Sequence, residues 1–222
     1  MPILTPDLAH WKDLWIFKGL NAVNEPGTHM LNVNGVQGYL IEGDVSFLWD
    51  LGQRLPRNGA YLEIGSWLGL SSIIVANSLL AKLNFGAKIY CVDTWLGSEE
   101  HQQMAIIKED RLYENFLSNI EKSGVSGFIS PIRGKSVEIA ARFPDNSLDV
   151  LFIDGDHSFE GCYADLLAWY PKVTREGRIL GHDAAESCGA YQAVTQFCQE
   201  RALKFKIFPP PQGHYIFEIS RK

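Results

Sequence analysis

From residue 60 onward the chain alternates between short apolar runs and stretches of helical period. Apolar runs at 61–64, 88–92, 128–132, 148–153 and 178–180 predict five strands. Between the fourth and fifth, Phe159, Cys162, Tyr163, Leu166, Leu167 and Tyr170 recur at i, i+3, i+4, i+7, i+8 and i+11. That spacing places them on one face of a helix. Strands alternating with helices imply βαβ units. The expected fold class is therefore α/β, doubly wound, with a mostly parallel sheet covered on both faces. The end of the pattern differs. Residues 204–208, a Pro-Pro-Pro-Gln-Gly turn at 209–213 and residues 214–219 read as a hairpin that adds an antiparallel edge.

Before residue 59 the rhythm is also different. A helix near 7–17, a loop rich in Gly, Asn and Pro at 24–38, a helix at 44–55 and a turn at 56–59 read as an N-terminal helical cap. Cap (1–58) and α/β core (59–222) make one domain of 222 residues, long enough to bury a full core. Hydrophobic residues at 46% and charged residues at 21% fit a soluble globular protein. A net charge of −6 with no Lys/Arg run argues against a nucleic-acid partner. No apolar stretch reaches the roughly 18 residues of a membrane helix. The first twenty residues mix Asp7, Lys12, Asp13 and Lys18 with aromatics, unlike a signal peptide. Cys91, Cys162, Cys188 and Cys198 form no CxxC pair and read as reduced thiols of a cytoplasmic protein. These features leave a small molecule as the expected partner, with a homo-oligomer still open.

In open α/β sheets ligands bind beyond the carboxyl ends of the strands, so the polar residues there are the candidates. The first strand runs into Glu63-Ile64-Gly65-Ser66-Trp67-Leu68-Gly69-Leu70-Ser71-Ser72. Gly65 and Gly69 permit close backbone approach. Ser71 and Ser72 bring hydroxyls and N–H groups to a helix start. The spacing is neither the dinucleotide fingerprint nor the P-loop, and no Lys follows Gly69 to meet phosphates. Glu63 would repel a pyrophosphate and attract an ammonium. The second strand ends in Asp93-Thr94-Trp95. Asp93 is placed to accept from two ribose hydroxyls, and Trp95 to stack on a purine. Together they point to a nucleoside-type cofactor. Asp154 and Asp183 end strands expected to lie about 4.8 Å apart. Their carboxylates can converge on one hard cation, Mg²⁺, Mn²⁺ or Ca²⁺.

The run from Glu63 to Gly69, followed by Asp93, resembles the first two cofactor motifs of class I, S-adenosylmethionine-dependent methyltransferases. More narrowly, residues 148–183 resemble the cephalosporin-hydroxylase-like and macrolide-sugar O-methyltransferases. The most specific matches are Phe152-Ile153-Asp154-Gly155-Asp156-His157-Ser158-Phe159-Glu160-Gly161 and Gly181-His182-Asp183. The resemblance covers roughly residues 60–183 and leaves out the cap. It implies a Rossmann-like methyltransferase sheet. By it, Glu63, Gly65, Ser66 and Gly69 face the methionine part of S-adenosylmethionine, Asp93 holds the ribose, and Thr94 and Trp95 flank the adenine. Gly134, Lys135 and Ser136 match the contact to the adenine amine. Many relatives carry an acid where Lys135 stands, and Lys135 cannot accept that bond. The resemblance further implies a metal held by Asp154, His182 and Asp183. The middle position is usually acidic; imidazole suits Mn²⁺, Fe²⁺ or Zn²⁺ better than Mg²⁺. His157 matches a general base, and its unperturbed pKa of about 6.5 suits that work. It could instead cap the following helix, with Asp156 binding backbone N–H groups.

The expected activity is O-methylation of a small hydroxylated acceptor, such as a sugar or phenol, assisted by Mg²⁺ or Mn²⁺. Two alternatives stay open. One is metal-free methylation of nitrogen or of a macromolecule. The other is a non-catalytic nucleoside-binding or partner-binding protein on the same fold. The prolines at 209–211 do not make the Asp/Asn-Pro-Pro-Tyr motif of amino-nitrogen methylation.

Overall fold

The computed structural model describes residues 31–98 and 101–221. The helix expected at 7–17 lies outside them. The first described element is a hairpin where a loop was expected: β1 (Leu31–Val33) and β2 (Val36–Gly38). Its turn residues Asn34 and Gly35 have φ of 53° and 86°. A two-residue type I′ turn needs positive φ at both positions, which Asn-Gly supplies. Leu31, Val33 and Val36 are buried beneath it.

Next comes α1 (Glu42–Arg54). Asp44, in its first turn, accepts from Ile41 N–H at 2.8 Å and so satisfies an amide at the positive end of the helix. α1 packs on α2 (Leu70–Ala81). The Ser78 hydroxyl donates to Trp49 O at 2.7 Å across that contact. Two further helices follow, α3 (Ala105–Lys108) and α4 (Leu112–Lys122). Between them Asp110 turns left-handed, with φ of 50°.

The central strands are β3 (Ala60–Ile64), β4 (Lys88–Asp93), β5 (Ile129–Arg133), β6 (Leu148–Ile153), β7 (Val173–Gly181), β8 (Lys204–Phe208) and β9 (Ile216–Ser220). Their order is β5-β4-β3-β6-β7-β9-β8. The first five are parallel. β9 runs antiparallel to both β7 and β8. The C-terminal hairpin therefore forms, but its second strand lies inside the sheet and β8 takes the edge. β7 begins earlier than expected because its first half, Thr174-Arg175-Glu176, is polar and carries no apolar signal.

Alternation along the strands sends Tyr61 and Glu63 to one face and Leu62 and Ile64 to the other. All four are buried, as a doubly covered parallel strand requires. One core layer joins α1, α2 and α4 to the sheet. The other joins α5 (Ser136–Ala140), α6 (Phe159–Trp169) and α7 (Gly189–Glu200). The helices that follow β3 and β6 cover opposite faces. A crevice opens at such a switch point, beyond the strand ends. No described helix is long and apolar enough to cross a membrane.

Candidate active site

Gly65 follows β3 with φ of 83°, beside the end of β6. A Cβ on it would lie 2.1 Å from Asp154 O, so glycine alone lets these strand ends meet. Asp93 ties the loop down from the end of β4. Its Oδ2 accepts from Ser66 N–H at 2.8 Å and Trp67 N–H at 3.0 Å, and its Oδ1 from Trp95 N–H at 2.7 Å. Burial raises the Asp93 pKa against the pull of these amides. Gly69, with φ of 88°, then opens α2.

Beneath the loop Glu63 is fully buried. The Ser72 hydroxyl donates to its Oε2 and lies 3.0 Å from Cys91 Sγ. Glu63 Oε1 and Ser66 Oγ are buried without a hydrogen-bond partner. Burial pushes the Glu63 carboxyl up, against the pull of the Ser71 and Ser72 hydroxyls. Each such orphan costs about 1–3 kcal/mol until something satisfies it. A carboxylate and a hydroxyl left open beside a glycine turn fit the ammonium end of S-adenosylmethionine.

Three histidines and three aspartates gather at the neighbouring strand ends. His182, 2% exposed, is their centre. Its Nδ1 lies 3.1 Å from Asp183 Oδ2 and 3.5 Å from Asp154 Oδ1. Its Nε2 lies 3.2 Å from Asp44 Oδ2, in ion-pair range but out of hydrogen-bond alignment. Asp183 Oδ1 is 2.7 Å from His214 Nδ1, and Oδ2 is 3.5 Å from His157 Nε2. Asp44 is fully buried and accepts from His214 N–H at 2.6 Å.

The charges follow from this packing. Burial holds the Asp154 carboxyl well above its usual range, although His182 pulls it down. Burial would lower His182, but Asp154, Asp183 and Asp44 outweigh it and hold the imidazole pKa high. Burial also acts to raise Asp183; the hydrogen bond and charge of His182, with His157 and His214, reverse this and hold it low. Two triads bring their ligand atoms within 4.8 Å of one another: His182, Asp183, His214 and Asp154, His157, Asp183. Such mixed nitrogen and oxygen donors fit a divalent metal.

A protein-family profile for a methyltransferase domain matches residues 62–184, more than half of the chain. The chain belongs to this family. The match takes in the Gly65 loop and most of the His/Asp cluster. Solved structures agree on the fold of the methyltransferase domain. The O-methyltransferase NovP superposes with a TM-score of 0.64 and 18% identity, covering 81% of this chain and 80% of its own. TomG of Streptomyces achromogenes, an O-methyltransferase of tomaymycin synthesis solved with S-adenosylmethionine, gives 0.56 and 17% over 80% and 78%. An O-methyltransferase of Bacillus cereus, solved with S-adenosylhomocysteine, gives 0.54 and 19% over 80% and 79%. At these identities the likeness is one of fold, the expected Rossmann-like sheet. Among curated proteins, the uncharacterized y4gI of Sinorhizobium fredii is 25% identical over 162 residues, 70% of this chain. The chain spans only 17% of that protein's length.

The methyltransferase domain brings Glu63, Gly65, Ser66, Asp93, Asp154, His157, His182 and Asp183 to adjoining strand ends. The other expected site residues are held by different contacts. Trp95 is 1% exposed, packed against Tyr113 and Phe116 with ring centroids 4.7 Å away in each case. It is a core residue here and presents no open face to a purine. Ser72 is fully buried and turned toward Glu63, and Ser71 is 7% exposed beside it. Ser136 donates to Asp165 Oδ1 at 2.5 Å and accepts from Trp169 Nε1 at 2.8 Å, so its hydroxyl ties α5 to α6. Lys135 is exposed at the start of α5, and Gly134 N–H donates to Asp93 O at 2.9 Å. Thr94 Oγ1 accepts from Leu96 N–H at 3.3 Å. The cap of α6 is Ser158, whose hydroxyl accepts from Gly161 N–H at 3.0 Å. His157 therefore has no capping task, while Asp156 Oδ1 does accept from Ser158 N–H at 2.8 Å. Sequence reasoning missed Asp44 and His214. Nothing local marks them, since only the pairing of β7 with β9 and the seating of α1 bring them to the cluster.

Proposed function

We propose that this domain transfers the methyl group of S-adenosylmethionine to a hydroxyl of a small acceptor, with His157 as general base beside a divalent cation. One observation carries the reading. Two different half-sites adjoin at Gly65: the open Glu63 and Ser66 pair on one side, and the His/Asp cluster on the other. Glu63 and Ser66 bind the ammonium. Asp93 has about four acceptor positions, three taken by the Ser66, Trp67 and Trp95 amides, and the remaining one receives a ribose hydroxyl. S-adenosylmethionine brings an electrophilic methyl group on sulfur, and a divalent cation lowers the pKa of a coordinated hydroxyl. Asp154, His182 and Asp183 would hold that cation, with His214 beside Asp183 as a further donor.

His157 is 37% exposed, with Nε2 directed at Asp183 from 3.5 Å, and is thus open to an acceptor from outside. It takes the acceptor's proton while the new oxygen–carbon bond forms and the carbon–sulfur bond breaks. Holding donor and acceptor in line supplies most of the acceleration. The chain's negative charge favours a small acceptor over nucleic acid. Calorimetry with S-adenosylhomocysteine, then turnover of His157→Ala, tests the reading. The variant should bind S-adenosylhomocysteine as before and turn over about 10²-fold more slowly. EDTA should abolish turnover. Failure of the wild type to bind S-adenosylhomocysteine sinks the proposal, and unchanged turnover removes His157 from it.

A further inference from the structure

We infer that the cluster is built for a first-row transition metal such as Fe²⁺, Co²⁺ or Zn²⁺ in preference to Mg²⁺, and that Asp44 is the positioning residue that sets His182 for the ion. The inference rests on the cation site proposed above and goes further, to the class of ion and to a residue outside the matched family region.

Mg²⁺ takes oxygen ligands in near-ideal octahedral geometry, whereas imidazole nitrogen suits the later transition metals. Three imidazoles enter this cluster. His182, Asp183 and His214 form a two-histidine, one-carboxylate set. The two rings address opposite oxygens of one carboxylate: His182 Nδ1 is 3.1 Å from Oδ2, and His214 Nδ1 is 2.7 Å from Oδ1. Their centroids are 5.5 Å apart. An ion drawn to Asp183 meets both nitrogens.

A neutral imidazole carries its proton on one nitrogen and its lone pair on the other. Asp44 Oδ2 lies beside His182 Nε2, on the side away from Asp154 and Asp183. The charge of that carboxylate favours a proton on Nε2, which leaves the Nδ1 lone pair for the metal, as an outer carboxylate does for a ligating histidine. The same carboxylate accepts the His214 backbone N–H at 2.6 Å, so one buried acid sets both histidines. Its helix is pressed onto the loop that carries His214. A Cβ on Gly43 would come 1.9 Å from Pro211 O, leaving no room for the helix start to drift.

The test is Co²⁺ binding followed by its visible d–d absorption, with competition by Zn²⁺ and Mg²⁺ and parallel calorimetry with S-adenosylhomocysteine. Zn²⁺ should displace Co²⁺, and a hundredfold excess of Mg²⁺ should not. His214→Ala should weaken Co²⁺ binding about 10-fold or more, and Asp44→Asn by about 10–100-fold with a shifted band. The double variant Asp44→Asn/His182→Asp, which trades imidazole for carboxylate without facing two buried acids, should turn the preference toward Mg²⁺. Retained S-adenosylhomocysteine binding shows that each variant is folded. Should a buried variant fail to fold, the wild-type competition and His214→Ala, at a partly exposed site, decide alone. Mg²⁺ competing as well as Zn²⁺, or Co²⁺ affinity unchanged in His214→Ala or in folded Asp44→Asn, overturns the inference. Co²⁺ binding without S-adenosylhomocysteine binding would sink the transferase reading and leave the metal assignment standing. The reverse pattern would do the opposite.

Discussion

Replacing Gly65 with alanine probes the point where the two half-sites meet, and two costs add there. Gly65 has φ of 83°, where an L side chain costs about 1–2 kcal/mol. The added carbon would also lie 2.1 Å from Asp154 O, 2.5 Å from Asp154 C and 2.6 Å from Gly155 Cα. These are backbone atoms and cannot rotate away. Carbon contacts settle near 3.5–4.0 Å, so the ends of β3 and β6 must part by an ångström or more. That strains the Asp154 N–H to Ile64 O bond, now 2.8 Å. Overpacking of this kind costs about 1–3 kcal/mol, for a total of about 2–5 kcal/mol. Gly124 supplies the control: its φ is 68°, but a Cβ there meets nothing within 4 Å. Gly124→Ala should therefore show only the backbone cost, about 1 kcal/mol. Urea unfolding followed by circular dichroism measures both, given unchanged m-values. Gly65→Ala should lose S-adenosylhomocysteine binding as well. Equal destabilisation by the two substitutions would refute the steric argument and with it the tight junction at Gly65.

Asp165 gives a pH signature: burial, against the Ser136 hydroxyl, pushes its carboxyl up to about 6. Its unfolded value is about 3.9, so the folded chain keeps this proton longer and stability falls as pH rises from about 4 to 6. The full drop is about 3 kcal/mol by linkage. Asp165→Asn should flatten that slope in urea midpoints taken across the range, and an unaltered slope would assign it elsewhere. Asp93→Ala strips the acceptor from the Ser66, Trp67 and Trp95 amides. It should cost about 2 kcal/mol of stability and weaken S-adenosylhomocysteine binding by about 1–3 kcal/mol. Calorimetry showing full affinity in a folded Asp93→Ala protein would cancel the ribose role.

The sequence was most legible where pattern and burial coincide. β6 was read with its observed bounds because Leu148–Ile153 is an apolar run closed by a polar Asp-Gly-Asp. α6 followed from its 3.6-residue period. The hairpin of β1 and β2 escaped because its strands are three residues each, although Asn34-Gly35 between Val33 and Val36 was the available signal. Trp95 misled for a different reason. Its position after Asp93 suits a ligand contact, but Tyr113 and Phe116 sit one turn apart on α4, a helix whose orientation no local pattern reveals. The strand-end acids were found because topology alone puts them together. Asp44 and His214 lie 170 residues apart and meet through a backbone hydrogen bond that only the finished fold contains.

A ribosome delivers β8 before β9, yet β8 pairs with β9 alone. Until the strand ending at Ser220 emerges, β8 dangles and β7 presents an open edge, the kind of surface that invites mispairing. Synthesis at about 5–20 residues per second makes that window on the order of a second. His214 arrives in the same short stretch of chain, so Asp183 Oδ1 and Asp44 Oδ1 wait for their His214 partners. Closing the sheet and completing the histidine cluster are thus one event in the life of the nascent polypeptide. A chain arrested before it has its Gly65 loop but not its three-imidazole centre.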